Sequence, residues 1–192
     1  MPGADMQRPP STDAQRRAAF RDALGEGALA DLFRYWEAKA AGAAMPPAGA
    51  IDATEIPRLL PVLYMLEPTG LETYRFRLAG TGVRELFDAE VTGRTLDEVL
   101  PTEELRENAR RSYAIVRRDG RPWLTDMLYE LENGGTFRYR RLALPLGQDG
   151  EVTRVLGAFA LGPADGPDKP RLPFHRMLPS IVRTLDRREL AG

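Results

Sequence analysis

The chain has 192 residues, with 27 basic against 28 acidic side chains, one histidine and no cysteine. That length holds one domain of ordinary size, about 100–150 residues, plus terminal extensions, and the near-neutral balance supplies no basic field for non-specific nucleic-acid binding. Without cysteine there are no disulfides, thiolate nucleophiles, iron–sulfur ligands or the usual structural zinc sites.

Residues 1–14 are rich in Pro, Ser, Asp and Gly without an apolar period and read as a disordered tail. Over residues 15–41 the pattern changes. Phe20, Leu24, Leu29, Leu32, Phe33 and Trp36 recur at helical intervals, interrupted by Gly25-Glu26-Gly27, which predicts two amphipathic helices or one broken one. Residues 42–49 contain Met45-Pro46-Pro47 and form a linker, because consecutive prolines remove backbone donors and disfavour helix before them. A short helix is expected from Asp52, with Glu55 as its capping-box partner and Pro57 and Pro61 limiting its length.

Strands follow. Val62, Tyr64 and Leu66 alternate with Leu63, Met65 and Glu67, and Pro68-Thr69-Gly70 turns the chain into the strictly alternating Tyr74-Arg75-Phe76-Arg77-Leu78. After Gly80-Thr81-Gly82, the residues Val83, Leu86 and Phe87 supply the stripe of a short helix. Thr92-Gly93-Arg94-Thr95 is a loop, and Thr102 caps a longer helix to about Arg118 with Leu105, Ala109, Tyr113 and Val116 inward. Three strands come next, at 122–131, 136–146 and 151–161, separated by Asn133-Gly134-Gly135 and Gln148-Asp149-Gly150, both suited to tight hairpins. Residues 162–192 open as a Gly/Pro/Asp linker and end in a helical tail, for which Phe174, Met177, Leu178, Ile181, Val182 and Leu185 supply an apolar face. The fold class is α+β: an antiparallel sheet with helices gathered on one face.

This order, together with Phe76-Arg77-Leu78-Ala79-Gly80-Thr81, Val91-Thr92-Gly93-Arg94-Thr95-Leu96 and Leu144-Pro145-Leu146 ahead of Gln148-Asp149-Gly150, resembles the PAS domain. Tyr35-Trp36 and Ile56-Pro57-Arg58-Leu59-Leu60-Pro61 are similar to a proteobacterial PAS subfamily that often occurs as a short stand-alone protein, so the resemblance spans about residues 30–161. It implies a PAS-like five-stranded antiparallel sheet over residues 52–161 whose short helices enclose a cavity, used to sense ligands or to pair with other proteins. It implies no particular reaction. An N-terminal helix of this kind in PAS proteins often packs across the sheet or pairs two copies.

The photochemical flavin type and the coumaroyl type of that family both need a cysteine, which this chain lacks. A haem sensor needs an axial histidine, and His175 lies beyond the last expected strand of the sheet, where it reads as an ordinary surface or packing residue. No covalent chromophore or metal cofactor is expected, and a non-covalent flavin or a small apolar or anionic metabolite stays open. Tyr64, Phe76, Trp123, Tyr129, Tyr139 and Phe159 fall on strands, where they either line a cavity or pack the core. Arg138, Arg140 and Arg141 interrupt alternation on one strand. Either a bulge turns Arg140 or Arg141 inward, toward a carboxylate or phosphate ligand, or the arginines form a solvated face paired with Glu130 and Glu132.

Phosphate-loop and nucleophile-elbow motifs are missing, as is any carboxylate–histidine cluster with metal spacing. The expectation is a non-catalytic sensory or protein-interaction module of bacterial signalling, binding a small ligand or a downstream signalling protein and forming a homodimer through its N-terminal helix. A small cavity-bearing α+β enzyme or ligand carrier is the alternative, recognised by a titratable acid–base pair in the cavity. Neither nucleic acid nor membrane is an expected partner. The longest apolar stretches, such as Val155 to Leu161, fall far short of the ~20 residues that span a bilayer, and the N-terminus lacks a basic segment followed by an apolar one, so the expected location is cytoplasmic.

Overall fold

The computed structural model describes residues 13–130, 136–163 and 180–184, with side chains for all of these except 13, 14, 16, 128–130, 136, 137, 163 and 180–184. Its centre is an antiparallel sheet of β1 (Leu63–Pro68), β2 (Tyr74–Ala79), β3 (Trp123–Glu130), β4 (Thr136–Gln148) and β5 (Glu151–Pro163), in the order β2-β1-β5-β4-β3. These are the five strands expected from the alternation. The β4–β5 hairpin closes through Asp149 (φ 55°) and Gly150 (φ 81°), the pair of positive-φ residues a two-residue turn needs.

A sixth strand, β6 (Ser180–Thr184), pairs antiparallel with β3 at the edge of the sheet. The expected C-terminal helix is therefore corrected over these five residues. Ile181, Val182 and Thr184 are β-branched, and the outer edge of β3 offers a row of backbone donors and acceptors that a strand satisfies and a helix does not. The rest of the tail, with His175, lies outside the described residues, as do residues 1–12.

Helices cover both faces. On one side lie α3 (Thr81–Phe87), α4 (Leu96–Val99) and α5 (Glu103–Asp119). Thr102 caps α5 by accepting from the Leu105 N–H, as expected. The capping box in the structure belongs to α4, where Thr95 and Glu98 bond each other's backbone N–H groups. Asp52 caps only a single 3-10 turn, Ala53–Glu55, and Glu55 instead reaches the Tyr35 hydroxyl and Lys39.

The other face is covered by α1 (Asp13–Leu24) and α2 (Ala28–Ala40), which are split at Gly25 and Gly27 as the sequence suggests. Leu29, Leu32, Phe33 and Trp36 of α2 are buried, and α2 packs on β4 and β5. The N-terminal helix packs across its own sheet, one of the two uses expected of it. The buried Trp36 indole N–H donates to the Pro145 carbonyl at 2.8 Å. The linker after α2 is held in turn, because the Gly147 N–H donates to Pro46 and Met45 is buried. Leu142, Leu144, Leu156 and Ala158, on the α2 side of β4 and β5, are fully buried.

Candidate functional site

Between the sheet and α3–α5 lies a cavity of about 50 Å³. Its floor comes from inward-facing residues of all five strands: Tyr64 on β1, Phe76 on β2, Thr125 and Met127 on β3, Tyr139 and Arg141 on β4, and Phe159 on β5. Its roof comes from apolar residues of α3 and α4 together with Leu105, Asn108, Ala109 and Tyr113 of α5. The walls are mostly apolar, with a few polar groups contributed by the strands and by α5, the usual composition of a ligand site.

Tyr64 is held in an unusual way. It pairs with Gly157 across β1 and β5, and a Cβ on Gly157 would lie 2.1 Å from the Tyr64 Cζ. The ring therefore lies flat over the glycine, and its hydroxyl crosses β5 to donate to the Leu142 carbonyl of β4 at 3.2 Å. The Tyr113 hydroxyl donates in turn to Tyr64 at 3.1 Å. Burial pushes the Tyr64 hydroxyl well above its ordinary value. Tyr139 is pushed up to about 12, again by burial, with Arg141 opposing the shift. Both phenols are neutral hydrogen-bonding groups at physiological pH.

Arg141 enters the cavity without a bulge. The register of β4 against β3 and β5 is regular from Phe137 to Leu146, so Tyr139 and Arg141 fall on the cavity face and Arg138 and Arg140 on the other. The Arg141 guanidinium sits over the Tyr113 ring, 4.8 Å from its centroid, and its Nη2 is 3.5 Å from the Thr125 hydroxyl. A cation over an aromatic face is attracted by the ring quadrupole, which holds the guanidinium at this wall of the cavity.

Arg140 does something different from the expected ligand contact. Its guanidinium donates to the carbonyls of Ala23 and Leu24, the last residues of α1, and pairs with Asp126 at 3.3 Å. Asp126 is 5% exposed and also receives Arg138 through two hydrogen bonds. The counter-ion of this arginine face is therefore Asp126 on β3, opposite Arg140 in register. Glu130 and Glu132, expected in that role, have no described side chains.

Of the expected site residues, the structure brings Tyr64, Phe76, Tyr139, Arg141 and Phe159 together around the cavity. Trp123 packs half-buried against the core at the start of β3, outside the lining. Tyr129 is placed in β3 by its backbone, opposite Phe137, and its side chain lies outside the described ones. Asn108, Tyr113, Thr125 and Met127 are lining residues that sequence reasoning missed. Strand parity from Trp123 would have found Thr125 and Met127, and the helical period already set Tyr113 on the inner face of α5.

A flavin does not fit this cavity. Pockets for ligands of that size measure about 300–1,000 Å³, several times the 50 Å³ found here. Among the described residues, no cluster of three metal-ligating side chains occurs, and no helix is long and apolar enough to cross a membrane.

A twisted antiparallel sheet whose helices close over a small central cavity is the architecture of a sensory or interaction module. The sequence matches the PAS domain family over residues 25–160, a span that takes in α2 as well as the sheet, and the chain belongs to that family. Among solved structures it is similar to a light-oxygen-voltage domain studied with a flavin analogue, at 17% identity and a TM-score of 0.43 over 58% of this chain and 84% of that one. It is also similar to the LOV protein of Rhodobacter sphaeroides, at 14% identity and a TM-score of 0.43 over 60% of this chain and 70% of that one. The PAS domain of BvgS from Bordetella pertussis matches at 22% identity and a TM-score of 0.32, over 57% of this chain and 84% of that one. No functionally curated protein matches the sequence.

Proposed function

We propose that the chain is a non-catalytic, cytoplasmic PAS-type sensory module that binds a small ligand non-covalently in the cavity under α5 and passes its state to a downstream signalling protein. The observation that carries this reading is the lining itself. Among the described residues it joins apolar walls to one guanidinium, three phenols, an amide and a hydroxyl, with no carboxylate, imidazole or thiol. Those groups recognise a ligand, but they lack the acid–base pair that catalysis at neutral pH would require.

The partner reading is supported by family membership and is narrowed by the fold. The apolar stripe of α2 that the sequence offers for pairing two copies is buried on the chain's own sheet. A homodimer would use the outward, polar sides of α1 and α2, and sedimentation over a wide concentration range checks for it.

Native mass spectrometry of the protein purified from its own cells tests the sensing reading. A small molecule retained at one per chain is the expected result. An empty chain in every preparation, with a melting temperature that no small metabolite raises, would remove the ligand and leave protein interaction alone.

A further inference from the structure

We propose that the cavity is a receptor site for a small planar oxyanion, a carboxylate of a few heavy atoms, held by the Arg141 guanidinium. This rests on the reading of the cavity as the sensing site and names the chemistry it would sense.

Among the described residues lining the cavity, Arg141 is the only charged one. Regular strand alternation delivers it there, with its guanidinium carbon 4.8 Å from the Tyr113 ring centroid. A planar fork of N–H donors is matched by two oxygens in one plane, which carboxylate, formate and nitrate all present.

The other polar groups suit the same ligand. Thr125 and Tyr139 stand beside the guanidinium as neutral hydroxyls, and burial keeps Tyr139 protonated. The Asn108 amide on the roof makes only a long contact, 3.9 Å, with the Met127 sulfur, a weak acceptor that an oxyanion would replace with a stronger one. Size sets the upper limit. A cavity of about 150 Å³ takes benzene, and this one measures about 50 Å³, which suits formate, nitrate or acetate and excludes aromatic or sugar acids.

The test uses the full chain, titrated with sodium acetate, formate and nitrate against sodium chloride at equal ionic strength, with melting temperature and calorimetry as readouts. The melting temperature is expected to rise with the logarithm of acetate concentration, and the ligand-efficiency ceiling for four heavy atoms puts the Kd no tighter than about 40 μM. Arg141→Met is expected to raise that Kd at least tenfold. Arg138→Gln, on the opposite face, leaves it unchanged.

If Arg141→Met does not fold, Thr125→Val supplies the second variant, with at least a twofold loss expected. The nitrogen-15 resonance of the Arg141 side chain, shifting with acetate in the wild-type protein, supplies the second measurement. A response equal to that of chloride, or one that survives Arg141→Met, overturns the oxyanion site. An uncharged molecule recovered from the cell-purified chain also overturns it while leaving the sensory reading in place. A cavity that responds to no ligand of any kind removes both.

Discussion

Gly157→Ala isolates the contact on which the cavity floor depends. The added Cβ would sit 2.1 Å from the Tyr64 Cζ and 2.3 Å from its hydroxyl oxygen. The ring has to leave, since carbon atoms in contact stand about 3.5–4.0 Å apart. Overpacking of this kind costs about 1–3 kcal/mol. Displacing the hydroxyl breaks its bonds to Leu142 and Tyr113, each worth about 1 kcal/mol. The sum is about 3–5 kcal/mol, or a fall in Tm of roughly 10 °C for a chain of this size. The displaced ring would also enter the cavity and fill it.

Thermal and urea unfolding of the single variants Gly157→Ala and Tyr64→Leu and of the double variant measures the contact directly. With the smaller side chain at position 64 the extra methyl group meets little, so the double variant should be close to Tyr64→Leu alone and the coupling should approach the full cost of Gly157→Ala, about 3–5 kcal/mol. A Gly157→Ala protein that melts within 2 °C of the wild type, or a cost that persists in the Tyr64→Leu background, would refute the reasoning.

Three other outcomes follow from the described contacts. Arg140→Met removes the donors at the end of α1 and leaves buried Asp126 with Arg138, for which ~2–3 kcal/mol is expected; hydrogen exchange should show α1 amides losing protection before those of β4. Tyr139, whose hydroxyl is raised to about 12, makes a contribution that is complete below the unfolded value of about 10 and lost as pH rises toward 12. Absorbance at 295 nm should therefore show its ionisation arriving together with unfolding, and Tyr139→Phe should remove that step. On the acid side, hydrogen bonds from the Thr95 backbone and hydroxyl hold Glu98 below its usual range, and Lys39 and Tyr35 do the same for Glu55. The stability they confer is present above about pH 4.3 and falls away as pH drops through their lower folded values; melting temperatures from pH 7 to pH 3 should show the loss, with a shallower slope in Glu98→Gln.

The sheet was legible because its two hairpins alternate cleanly and one closes on Asp149-Gly150. The helix boundaries were legible from Gly25, Gly27 and Thr102. What period alone hides is pairing across distance. Asp126 lies 12 residues before Arg138 and reads as one more strand polar residue until β3 and β4 are set in register. Arg140 and Arg141 looked alike in sequence, and only the regular register of β4 from Phe137 to Leu146 separates a helix clamp from a cavity residue. At the C-terminus, Ile181 and Val182 fit a helical stripe as well as a strand, and the vacant edge of β3 decides between them.

Arg140 and Arg141 are one peptide apart, with one fastening the end of α1 and the other facing the cavity. Thr125 and Asp126 repeat the division on β3. Successive side chains of a strand hang from a single pleated ribbon, so a displacement of the backbone at one displaces the other. The interior of the domain and the seat of its N-terminal helices thus share one piece of backbone, the peptide between Arg140 and Arg141.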